Sequence, residues 1–240
     1  MNSPEDLTEL AKAANAAKDY ADAILLQPLN QLGGILSDTV GYWRLKNQAR
    51  LILSTRDWLK SKGIDPAPVL PDIFVPLVED GGNTEDPDLS GMFASLLSCH
   101  LDPDSSENVH PSFTKVLAQL SPLDARTMVL YRSTASVKKY RDISLRGSPW
   151  TCKMIAEALD VAKDAAYLSC LNLHRLGIIE LFGIDVPDDH SDLGMFTGAD
   201  THHEFRVSEY GLAFCDSCHH QQDADKRAYA KTLARSFTTR

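Results

Sequence analysis

Gly177 is the residue that most constrains the second half of this chain. It ends a helix-forming stretch, and the residues that follow it, Ile178-Ile179-Glu180-Leu181, belong in a strand. Upstream, Ser148-Pro149 opens a helix that should run through Leu159, Asp160-Val161 supplies a turn, and a third helix is expected over about 162–176. Downstream, after a long loop, Glu204-Phe205-Arg206-Val207 reads as the antiparallel partner strand, and Ser208 caps a further helix. With a helix over 122–131 placed in front, the order becomes helix, helix, turn, helix, strand, wing, strand. That is the order of a winged helix-turn-helix with a small two-stranded antiparallel wing.

The first half is helical throughout. Residues 7–26 carry seven alanines among charged residues without a Gly or Pro, which favours a helix on propensity alone. Tyr42, Leu45, Ala49, Ile52, Arg56 and Leu59 recur at spacings of three and four, predicting a second helix over about 37–62, closed by Gly63. Pro66, Pro68 and Pro71 hold the next segment extended. Short helices are expected over 73–79 and 89–101, separated by an acidic, flexible loop over 80–88. His110-Pro111 marks another helix start, and Ser121-Pro122-Leu123-Asp124 offers a cap, a first-turn proline and an acid at the third position, a variant of the capping box. The fold class is therefore mainly α, with a helical N-terminal domain over 1–119, a winged-helix-like domain over 120–220 and a basic C-terminal helix or tail over 221–240.

Charge limits what such a module can bind. The chain carries 24 Lys+Arg against 33 Asp+Glu, a net −9, so any contact with nucleic acid must come from local patches. Between Asp160 and Leu176 the turn and third helix hold Lys163 and Arg175 against Asp160 and Asp164, and the wing region over 180–204 holds seven acids with no Lys or Arg. A groove-reading helix needs cations or amides at the bases and phosphate contacts from its wing, so this module is expected to contact protein. Three basic zones remain. They are the second helix (Arg44, Lys46, Arg50 and others), the connector over 132–146 (Lys138, Lys139, Arg141) and the tail from Lys226 on. Each can touch nucleic acid or an acidic partner, and each can equally be a solvated face answering the chain's own acids.

Cys215-Asp216-Ser217-Cys218-His219-His220 is the sharpest local pattern. Its C-x-x-C-H matches c-type haem attachment in letters only, because that chemistry belongs to exported proteins and the N-terminal residues show no export signal. Zinc fits better than haem, with Cys215 and Cys218 needing two more ligands that His202, His203, His219 or His220 could supply, and the plainer reading is of small buried thiols with Cys218, His219 and His220 near a helix end. Otherwise no cofactor is expected. A second group, Cys99, His100, Asp102, Asp104, Glu107 and His110, reads more simply as a helix end and a polar turn. No nucleophile elbow, Walker loop, dinucleotide fingerprint or zinc-protease motif is present, so an enzyme is the lesser expectation. Five cysteines, no signal and no run of 18 apolar residues suggest a cytoplasmic chain with reduced thiols. The apolar segment 21–40, broken by polar residues, could lie on a membrane without spanning it.

Several short motifs resemble the Abi-alpha family of bacterial proteins over roughly residues 29–218. They are Tyr42-Trp43-Arg44-Leu45-Lys46-Asn47, Leu96-Leu97 leading to Leu101-Asp102-Pro103, Val109-His110-Pro111-Ser112-Phe113 and Leu120-Ser121-Pro122-Leu123-Asp124-Ala125. Leu171-Asn172-Leu173-His174-Arg175-Leu176-Gly177-Ile178-Ile179-Glu180 and Val207-Ser208-Glu209-Tyr210-Gly211-Leu212-Ala213-Phe214 continue the likeness. The resemblance implies abortive infection, in which a phage-infected cell stops growing or dies, and it carries over no catalytic residue. The expectation is a non-enzymatic defence protein, a homo-oligomer whose acidic winged helix binds a protein partner or phage component. The alternative is a nucleic-acid-binding regulator or effector acting through the basic patches.

Overall fold

The computed structural model describes residues 4–25, 39–105, 109–136, 150–185 and 202–221. The chain divides into two compact units, Met1–Ala118 with Asp216–Arg240, and Gln119–Cys215. The described residues are mainly helical, with one small three-stranded antiparallel sheet.

In the first unit α1 (Pro4–Ile24) and α2 (Thr39–Ser61) are the two long helices, and α2 packs on α1, α3 (Pro71–Gly82) and α4 (Pro87–Leu101). Gly63 takes the left-handed conformation (φ +65°) expected at the end of α2. The proline segment is extended as predicted, and Val69 bridges to Leu25 through a 2.9 Å bond from its amide to the Ile24 carbonyl. Every residue of α4 from Met92 to Leu101 is buried, which makes it the central helix of this unit, with Phe74, Leu77, Leu51, Phe113 and Leu117 also in the core. α5 (Phe113–Leu117) is a single short turn.

The flexible loop expected over 80–88 is not found as such, because α3 continues through Gly82. The reason is close packing. A Cβ on Gly81 would lie 2.4 Å from Leu51 Cδ1, one on Gly82 2.5 Å from Gln48 Cγ, and Asn47 donates a side-chain hydrogen bond to the Gly82 carbonyl. The two glycines let α3 press against α2, and hydrogen bonding at this contact favours one more helical turn over a loop.

The second unit begins with α6 (Pro122–Ser136), whose cap forms as the sequence proposes. Ser121 donates from its amide and hydroxyl to Asp124 Oδ2 at 2.8 Å, and the Asp124 amide returns a bond to Ser121 Oγ. The helix expected to open at Ser148 starts instead at Cys152. Trp150-Thr151 form a short strand β1 paired with β3, and Thr151 is the cap of α7 (Cys152–Leu159), accepting from the Met154 amide. Pairing of Trp150 with Phe205 accounts for the shift. Asp160 supplies the left-handed turn (φ +53°), α8 (Lys163–Arg175) follows, and Gly177 closes it at φ +75°. β2 (Ile179–Asp185) and β3 (His202–Val207) pair antiparallel in the sheet order β1-β3-β2, one strand more than expected. This order is in keeping with a winged helix. α9 (Glu209–Cys218) is capped by Ser208, whose hydroxyl accepts from the Gly211 amide and bonds back to the Gly177 carbonyl at 2.5 Å.

Candidate functional site: the outward face of α8

A buried carboxylate sets the rotation of α8 about its axis. Asp124, 1% exposed on α6, accepts from Ser169 Oγ at 2.6 Å and from Asn172 Nδ2 at 2.8 Å, while Thr127 lies 3.4 Å from the Ser169 hydroxyl. Ala166, Ser169, Cys170 and Leu173 therefore face the core. The opposite side of the helix must then carry Asp164, Leu168, Leu171 and Arg175, which are spaced four, three and four apart. Leu168 is 65% exposed and Leu171 39%. The two leucines sit three residues apart and so are neighbours on this exposed side.

On the buried side of α8, Cys170 shares its surroundings with the Cys152 and Cys215 thiols and the Tyr131 phenol. Cys152, at the first position of α7, and Cys170 of α8 are hydrogen-bonded through their side chains. That bond lowers the Cys152 thiol below its ordinary range and, with burial, raises that of Cys170. Burial pushes the Tyr131 phenol well up, with Cys170, Cys152 and Cys215 adding to the effect. All five cysteines are buried thiols, and no disulfide links them.

The described strands β2 and β3 carry one cross-strand ion pair next to this helix. Arg206 of β3 stands directly across from Glu180 of β2 and makes two 3.2 Å bonds to its carboxylate. The pair is exposed and adds little stability, yet it neutralises the described cation of this strand.

The cysteine and histidine candidates fall in both units. Cys215 is buried in the second, and Cys218, His219 and His220 are buried in the first. His220 Nε2 lies 3.0 Å from Asp102 Oδ2, and its ring meets Trp58 edge-on at 5.3 Å. Gln221 donates to Ser98 Oγ at 2.9 Å. Asp102 also accepts from the Asp104 amide and the Ser105 hydroxyl, the polar turn that the sequence suggests. Thus His220 and Asp102, from the two separate sequence clusters, meet. Among the described residues no three His, Cys, Asp or Glu side chains are gathered as a metal ion needs. Burial lowers His100 to about 4, so it is neutral at neutral pH.

Of the basic candidates, Lys46 and Arg50 are exposed on α2 and Arg44 is half-buried. Lys138, Lys139 and Arg141 lie outside the described residues, as do Glu107, most of the apolar segment 21–40 and the tail. A cleft of about 300 Å³ that the sequence does not announce is lined by Tyr20, Arg56, Leu59, Lys60 and Ile64, among others. Its Arg56 is held by Asp57 at 2.6 Å. No helix among the described residues is long and apolar enough to cross a membrane.

These features define a mainly helical protein whose second unit shows an apolar, charge-balanced helix face beside a neutralised strand pair. The family model of Abortive infection alpha matches residues 44–218, and the chain belongs to that family. No curated protein and no solved structure matches it.

Proposed function

We propose that this chain is a bacterial anti-phage defence protein of the abortive-infection type, acting without catalysis, through a winged helix that binds a protein partner. Family membership supports the defence role. The outward face of α8 supports the mode of action. At the position where a DNA reader places base-contacting Arg, Asn or Gln, this helix presents Leu168 and Leu171. Apolar side chains there gain from burial against another protein and gain little from a phosphate-lined groove. The wing agrees with this reading. It is acidic in sequence, and Arg206 is already paired with Glu180.

The test is growth of bacteria expressing the chain under phage challenge at low and high phage-to-cell ratios. Survival at low ratio with collapse at high ratio is the expected outcome, because the infected cell is sacrificed. Equal survival at both ratios, or no restriction of any phage, contradicts the reading. Purified protein should not shift DNA or RNA at low salt, where attraction to phosphate is strongest. A shift that weakens steeply with salt would favour a nucleic-acid-binding effector using Lys46 and Arg50.

A further inference from the structure

We infer that the partner received by α8 is a second copy of this chain, with the two α8 helices packed antiparallel about a two-fold axis. This rests on the partner-binding reading above and names the partner.

The inference comes from the order of residues on the exposed stripe. Asp164, Leu168, Leu171 and Arg175 follow the four-three-four spacing of a coiled-coil seam, so they form one narrow line along the helix. The line carries an acid at its N-terminal end, two leucines in the middle and a cation at its C-terminal end. When a second copy is turned head to tail, the midpoint of both pairs falls between Ser169 and Cys170. In that register Leu168 meets Leu171 of the other copy, and Asp164 meets Arg175 of the other copy. The surface is self-complementary, which is the requirement of an isologous two-fold interface. A parallel arrangement would set Asp164 against Asp164 and Arg175 against Arg175, so the charges select the antiparallel one. Opposed helix dipoles favour it as well.

The charges are available for this role. Among the described residues Asp164 has no ion-pair partner, and Arg175 bonds only the neutral side-chain oxygens of Asn172 and Gln119. Both residues are exposed. The Gln119 and Asn172 contacts hold the guanidinium at the end of the stripe before association, which lowers the ordering cost of a pair across the interface. Because Asp124 fixes the rotation of α8, the stripe is presented without rearrangement.

Sedimentation of the purified full chain across concentrations up to about 200 µM tests the inference. The wild type should show a monomer–dimer equilibrium. Leu168→Glu with Leu171→Glu should raise the dissociation constant by about 100-fold or more, since four leucine side chains lose their burial in each dimer. Asp164→Arg alone and Arg175→Asp alone should each weaken association by about 10-fold. An equimolar mixture of these two single variants should restore it, because each then meets its opposite charge. Far-UV circular dichroism and melting of each variant confirm that the fold persists. A wild type that stays monomeric, a dimer indifferent to the leucine changes, or single charge variants that fail to complement on mixing would each overturn the inference. A monomeric chain that still restricts phage would leave the proposed function standing and remove only the self-association.

Discussion

The Asp124 carboxylate on α6 accepts the Ser169 hydroxyl of α8 at 2.6 Å, with both side chains buried. Through this contact a residue that caps one helix also decides which side of another faces outward. Asp124→Ala removes an acceptor shared by Ser121, Ser169 and Asn172 and leaves the buried Ser169 hydroxyl and the half-buried Asn172 amide without it. The expected loss is about 3 kcal/mol, read from urea denaturation. Ser169→Ala should cost less, about 1 kcal/mol, because the carboxylate keeps its other donors.

Gly211 of α9 rests against the start of β2. A Cβ there would lie 2.0 Å from the Ile178 carbonyl oxygen and 3.0 Å from Val207 Cγ1. The first of these is backbone, and that carbonyl already accepts from the Ser208 amide. Gly211→Ala should therefore lower stability by at least about 2 kcal/mol despite the better helix propensity of alanine. A thermal melt of the variant checks this, and Gly91→Ala, where an added Cβ meets nothing within 4 Å, is the control.

His100 makes folding sensitive to acid. Burial lowers its folded-state value to about 4 from the 6.5 of the ordinary side chain. Between these values the unfolded chain binds the proton and the folded chain does not, so stability falls as pH drops from about 6.5 toward 4. Above that window His100 contributes no slope. The full loss reaches about 3 kcal/mol. Unfolding free energies measured from pH 7 down to 4 should show the decline, and His100→Gln should remove its share of it.

Much of this fold is legible in the sequence because its signals are local. The Ser121-Asp124 box, the Gly63 and Gly177 stops, the proline segment and the Ser208 cap act within a few residues, and each appears where its chemistry places it. What sequence reasoning misses depends on distant neighbours. The start of α7 moves to Cys152 because Trp150 pairs with Phe205, and α3 runs through Gly82 because α2 packs against its glycines. The meeting of Asp102 with His220 has no spacing signal at all. The four-three-four spacing of the stripe on α8 is itself in the sequence. A leucine that faces out and one that faces the core look alike until Asp124 is known to hold Ser169 and Asn172 inward.

The central claim is that the outward face of α8 carries the defence function through a protein contact. Its most direct test is phage restriction by cells expressing Leu168→Lys with Leu171→Lys, beside the wild type at matched protein levels. Loss of restriction by a folded double variant is the predicted result, because the added cations destroy an apolar contact while they could only strengthen a phosphate one. Restriction retained or enhanced in that variant would contradict the account.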